Sequence, residues 1–302
     1  MTARADEAAK TAGRRVDSDD ATFRAARIAL FREARRARDE ALDAILASAG
    51  ALTEHNVSDV EDAVMDDELA IARELCHALA ALAPFPDPTP GFVHQTGATC
   101  MSTSVGNALI RFGEPFFKER TVDTLHRFTD HVVTHTSGFN KPHEYRSVDD
   151  MHKYFKRGDA ARLRIRGRRL AARYRCELTD CLIEVVAALH GGEGACVVQQ
   201  HAHARLAYAI HIDGPDIFVR QRDPFTRHGD DRHSLIELGE WRRTYLWSPL
   251  KKLPSTLGHG FDSLSPVEAL GHLARYEAMD NLGIECISAL ILKLGPGDDA
   301  DP

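Results

Sequence analysis

Prolines occupy every second position from Pro84 to Pro90, in the run Pro84-Phe85-Pro86-Asp87-Pro88-Thr89-Pro90-Gly91. Each proline lacks a backbone N–H and disfavours the α conformation in the residue before it, so no helix can continue through this stretch. An extended, polyproline-like linker over residues 84–92 is expected. It separates a helical region, residues 19–83, from a domain of mixed character spanning residues 93–302.

Ahead of the linker, residues 1–18 are polar and without periodicity, as in a mobile tail. A helix is expected from Ala21 to Ser48, with Phe23, Ala26, Leu30, Ala34, Ala41 and Ile45 at helical spacing and Gly50 as its stop. Ser58 and Glu61 have the spacing of a capping box opening a second helix to Leu82, with Val64, Ile71, Leu75, Leu79 and Leu82 on one face.

Beyond the linker, a helix is expected to start at Cys100 and to bury Met101, Val105, Ala108, Leu109 and Phe112. Shorter helices follow around Phe117 to Phe128, then a loop at Ser137-Gly138-Phe139-Asn140. Arginines crowd from Arg157 to Arg175, a segment expected to be a solvated face or a contact for an acidic partner. A helix from Glu177 to Leu189 ends at Gly191-Gly192. Ala195 to Val198 makes a short strand. His203–Ile212 and Asp216–Arg222 make a hairpin, because Asp213-Gly214 is turn chemistry between two β-rich runs. Ser265-Pro266-Val267-Glu268 opens a helix to Asn281. The apolar stretch Ile284 to Leu294 is compatible with either helix or strand. Helices first and a strand meander later make an α+β pattern.

Composition narrows the function classes. The chain of 302 residues is 43% apolar and 27% charged, ordinary for a globular protein with a core. Its net charge of −7 argues against nucleic acid as the main partner. No apolar run approaches ~18 residues, so no integral membrane contact is expected. The first residues lack the apolar core of a secretory signal, which fits a cytoplasmic enzyme or one exported by a specialised apparatus. Six cysteines with no C-x-x-C do not make a disulfide scaffold. Cys76, Cys181, Cys196 and Cys286 fall in apolar runs and are expected to be buried and reduced.

Cys100 differs from these four. It follows the polar loop Gln95-Thr96-Gly97-Ala98-Thr99 and opens a helix, where the positive end of the helix dipole favours thiolate. A thiol nucleophile needs an imidazole to move protons and a third group to orient that imidazole. His203, opening an apolar strand, fits the second role. Asp223, at the end of the return strand, fits the third. Gln95 is a candidate oxyanion-hole donor together with the Cys100 backbone N–H. His201 shares an extended face with His203 and competes for the base role, whereas His211 is expected on the other side. His201 with His203, and His131 with His135, could instead supply zinc ligands. No cofactor or metal is expected.

The order Gln95, Cys100, His203-Ala204, Asp223-Pro224-Phe225 resembles that of the papain-like cysteine peptidases. The bacteriocin-leader peptidases and the Yersinia outer protein T type of effector proteases are the branches it looks closest to. The resemblance covers roughly residues 93–226. It implies a papain-like fold, with the Cys100 helix packed on an antiparallel sheet, and a peptidase acting on protein or peptide through a thioester acyl-enzyme. The Gln95-to-Cys100 separation is one position shorter than the family's usual pattern, Met101 follows the thiol, and Ala202 precedes His203. A glutamine deamidase, transglutaminase or acyltransferase would use the same groups. A non-enzymatic interaction protein would use Cys100 only for packing.

Overall fold

Gly194, at the start of a strand, sits so close to a helix that an added Cβ would lie 2.3 Å from the Ala188 carbonyl oxygen. This contact lies between the central helix and the central sheet of the fold. The computed structural model describes residues 21–50, 56–86, 92, 94–95, 100–112, 164–165, 168–174, 181–191, 194–200, 203–225, 233–246 and 288–294. The helices among them are α1 (Ala21–Ala49), α2 (Val57–Leu82), α3 (Cys100–Arg111), α4 (Cys181–His190) and α5 (Leu238–Tyr245). The strands are β1 (Arg164–Ile165), β2 (Arg168–Tyr174), β3 (Gly194–Gln200), β4 (His203–Asp213), β5 (Asp216–Arg222), β6 (His233–Glu237) and β7 (Ser288–Leu294). They form one sheet in the order β1-β2-β7-β3-β4-β5-β6, every neighbouring pair antiparallel. The protein is α+β.

The sheet has two covered faces. Cys196 and Val198 of β3, Ile291 of β7 and Val219 of β5 share one core with Phe31 of α1, Leu75 and Leu79 of α2, much of α4, and Trp241 and Tyr245 of α5. Val197 of β3, Leu206 of β4 and Leu290 of β7 are paired in register and buried on the opposite face. There α3 packs against β4 and β3. Along α4 every residue from Leu182 to His190 is buried. It is apolar around most of its circumference, as a helix covered on all sides must be. Each of its large aliphatic side chains contributes roughly 1.5–3 kcal/mol by burial. The helices ahead of the Pro-rich segment therefore have no separate core; their apolar faces close the core of the sheet.

Several sequence expectations shift. The helix after Gly50 has Asn56 at its N-cap position, with no side-chain cap bond, so Ser58 falls inside the first turn and cannot open the helix as a Ser58–Glu61 capping box. Asn56 Nδ2 donates instead to the Ala49 carbonyl at 3.2 Å, closing the end of α1. On α1 the buried residues are Phe31, Ala34 and Leu46, while Phe23, Ala26, Leu30, Ala41 and Ile45 are half-buried. That helix is poor in large apolar residues and docks partly through arginines. Arg27 Nη2 donates to the Ala187 carbonyl at 2.8 Å, and Arg35 pairs with buried Glu184. The hairpin turn centres on Gly214-Pro215, one residue later than expected, with Asp213 paired to Asp216. Gly214 takes φ +58°, and proline fixes a negative φ at the next position, the pattern of a type II′ turn. The stretch ending at Leu294 is a strand, between β2 and β3.

Part of the arginine cluster, Arg164, Arg168, Arg169 and Arg173, lies on the strands β1 and β2. The tail 1–18, the segment 113–155, residues 177–180, the 265–281 helix, and the thiols of Cys176, Cys181 and Cys286 lie outside what the structure describes. Among the described residues no helix is long and apolar enough to cross a membrane.

Candidate active site

The helix-rich face of β5 carries Ile217, Val219 and Gln221 at alternate positions, which places Asp223 next on that face. On β4 the same face is reached by Ile210 and Ile212, of even number, but by Ala207, of odd number. A β-bulge between Ala207 and Ala209 makes the switch, because Tyr208 is the extra residue in the pairing. Upstream of the bulge, Ala207, Arg205 and His203 share this face. Continuing the register by one pair sets Arg205 opposite Asp223. Without the bulge His203 would project from the opposite face. His211, beyond the bulge, sits on that opposite face.

The resulting contacts are close. His203 Nε2 lies 2.7 Å from Asp223 Oδ1. An ionised carboxylate can only accept, so Nε2 carries a proton there. Phe225 N–H donates to the same oxygen at 2.9 Å, and Arg205 Nε donates to Oδ2 at 3.1 Å. The Cys100 thiol is the other hydrogen-bond partner of the His203 ring. The Phe225 ring meets the imidazole edge to face at 6.4 Å.

Cys100 opens α3, which is held to the sheet near the site by Ser104 Oγ donating to the Ala204 carbonyl at 3.3 Å. The segment upstream is tied down as well. Gln95 N–H donates to the Pro224 carbonyl at 2.9 Å, which holds the Gln95 backbone beside Asp223. The buried Arg222 guanidinium, a donor only, bonds His94 Nδ1 at 3.3 Å and stacks 5.7 Å over the Phe92 ring. Phe92 packs edge to face on Tyr208 at 5.1 Å.

These contacts set the proton balance. Burial by itself pushes the Cys100 thiol up, but the His203 hydrogen bond, the Ala204 and Met101 backbone N–H groups and the imidazolium charge outweigh it, so the thiol is lowered. His203 is pushed up to about 9, chiefly by its hydrogen bond to Asp223 and then by that to Cys100, against burial and the Arg205 charge. Asp223 is lowered: burial opposes this, and the bonds from His203 and Phe225 N–H with the charges of His203 and Arg205 prevail. The other described thiols differ. Burial pushes Cys76 up to about 12 and Cys196 higher still. The arrangement favours a thiolate beside an imidazolium, one a nucleophile and the other a proton donor.

Of the residues singled out in the sequence, Cys100, His203 and Asp223 are brought into one hydrogen-bonded line, and Gln95 is placed beside it through its backbone. His201 lies outside the described residues, as do His131 and His135. Among the described residues no group of three or more His, Cys, Asp and Glu is placed to hold a metal ion. Sequence reasoning missed Arg205, although its two-residue offset from His203 already puts both on one strand face. It also missed the bulge at Tyr208, for which no local signal exists. Compared with known proteins, the chain matches no family model, no curated protein and no solved structure.

Proposed function

We propose that this protein is a cysteine peptidase of papain-like arrangement. The observation that carries the proposal is the position of the His203 ring, bonded to Asp223 through Nε2 at 2.7 Å and to the Cys100 thiol on the helix tip. The Cys100 thiolate attacks a peptide carbonyl carbon, forming the C–S bond. The donors we assign to the developing oxyanion are the Gln95 side-chain amide and the Cys100 backbone N–H. The C–N bond breaks as the His203 imidazolium gives its proton to the leaving amine. Neutral His203 then takes a proton from water, whose oxygen attacks the thioester. The C–S bond breaks, the acid product leaves, and thiolate and imidazolium are restored. Asp223 keeps the ring oriented and its Nε2 protonated throughout.

Packing of α3 on an antiparallel sheet, with the thiol at its first residue and the imidazole at the start of the adjoining strand, supports the papain-like description. The test is incubation of the protein with a peptide library, read by intact mass. Peptide fragments that fail to form with Cys100→Ala are the expected result. A gain of about one mass unit without chain cleavage would replace the peptidase by a deamidase, and amine-linked products by an acyl or glutamyl transferase. No product at all, with Cys100 inert to electrophiles, would overturn thiol catalysis.

A further inference from the structure

The triad carboxylate is shared. Asp223 Oδ1 serves His203, while Oδ2 takes the Arg205 Nε–H at 3.1 Å. The Arg205 guanidinium lies over the Tyr245 ring, 5.6 Å from its centroid. Tyr245 is fixed in turn, because its hydroxyl accepts from Gln221 Nε2 at 3.2 Å and Gln221 Oε1 accepts the Trp241 indole N–H at 2.9 Å. All of these groups sit on the helix-rich face of the sheet, and Tyr245 and Trp241 belong to α5. A cation held over an aromatic face and paired to a carboxylate loses most of its rotational freedom.

We propose that Arg205 is a positioning residue acting through Asp223: seated on Tyr245 and bonded to Oδ2, its guanidinium is fixed as a counter-charge beside the Asp223–His203 pair. The inference rests on the thiol chemistry proposed above. Among the described residues the titratable or charged groups bearing on His203 are Cys100 from α3, Asp223 after β5, and Arg205 from β4 itself. Asp223 and Cys100 strengthen its hold on the proton, and Arg205 opposes them. A carboxylate beside imidazole with no such counter-charge would leave an imidazolium reluctant to protonate a leaving amine.

The probe is iodoacetate, an anion drawn to a thiolate that lies beside a cation. Its rate with Cys100 rises with pH as thiolate forms and falls as His203 deprotonates, near pH 9. Arg205→Gln and Arg205→Met, the latter keeping an apolar stem over Tyr245, move the falling limb up by about half a pH unit or more. Arg205→Lys, which keeps the charge, leaves it close to its original position. A limb that stays or moves down in both neutral variants, or that moves as far in Arg205→Lys, overturns the proposal. Loss of fold in both neutral variants while Arg205→Lys folds also counts against it, since Arg205 would then serve the fold. A protein with no falling limb, or one unchanged by His203→Ala, would contradict the thiol–imidazole pair itself, a different failure.

Discussion

His203 and Asp223 stand 20 residues apart at the open end of one hairpin, yet their side chains meet at 2.7 Å because Tyr208 bulges out of the ladder between them. The bulge carries His203 to the face on which β5 presents Asp223. A register of plain alternation would have separated them.

Asp223→Asn replaces the acceptor that does most to raise His203. The imidazole should then titrate about 1–2 units below its native position, as followed by NMR. Peptide turnover should drop on the order of 10²-fold or more, since an amide no longer favours the protonated ring. An unmoved His203 titration would mean that Asp223 does not govern it.

Thiol reactivity should be sharply unequal. In the native protein iodoacetamide at pH 6–7, read by peptide mass mapping, should modify Cys100 well before Cys76 or Cys196. Cys100 is half-buried at the first residue of α3 with a lowered pKa, whereas the other two are buried and pushed up. Equal modification of Cys76 or Cys196 without unfolding would contradict the packing of the core.

Three helices meet at Glu68. Its Oε1 accepts the Leu182 N–H at 3.1 Å, at the start of α4, and its Oε2 accepts Arg242 Nε of α5 at 2.6 Å. Both partners of this ion pair are buried. Burial pushes the Glu68 carboxyl up while Arg242 and the Leu182 N–H oppose it. Glu68→Ala strands the guanidinium and should cost about 3–5 kcal/mol in urea denaturation. Glu68→Ala with Arg242→Met, which leaves no charge behind, should recover a large part of that loss. A double variant no more stable than Glu68→Ala would show that the buried charge is not the cause.

His190 joins the end of α4 to the last turn of α2, with Nε2 at 3.2 Å from the Leu79 carbonyl and 3.3 Å from that of Ala83. Burial, with the nearby Arg27 charge, pushes it down to about 4. The unfolded chain takes up this proton from pH 6.5 downward while the folded protein does not. Stability should therefore fall between pH 6.5 and about 4, by at most about 3 kcal/mol from this group. His190→Gln, which keeps a donor toward the carbonyls, should flatten that part of the stability profile. An unchanged slope would assign it to other groups.

Much of this arrangement was legible beforehand, and the rest was not for identifiable reasons. Periodicity marked α1, α2 and α3, and turn chemistry marked the β4–β5 hairpin, since both signals are local. The pairing of β7 between β2 and β3 is set by contacts some hundred residues apart and left no local trace beyond an apolar stretch. The supposed cap at Ser58 misled because Asn56, two residues earlier, was already closing α1. Cys100, His203 and Asp223 could be singled out by type and order. Their meeting depends on the Tyr208 bulge, and the role of Arg205 depends on Tyr245, which reaches it from a helix about forty residues downstream.

The central claim is that His203 holds Cys100 as a thiolate. The most direct measurement is the pH dependence of Cys100 alkylation by iodoacetamide, in the native protein and in His203→Ala. The rate should rise at a pH below that of an ordinary cysteine in the native protein, and the rise should move up by roughly a unit or more in His203→Ala. The same midpoint in both proteins would contradict the claim.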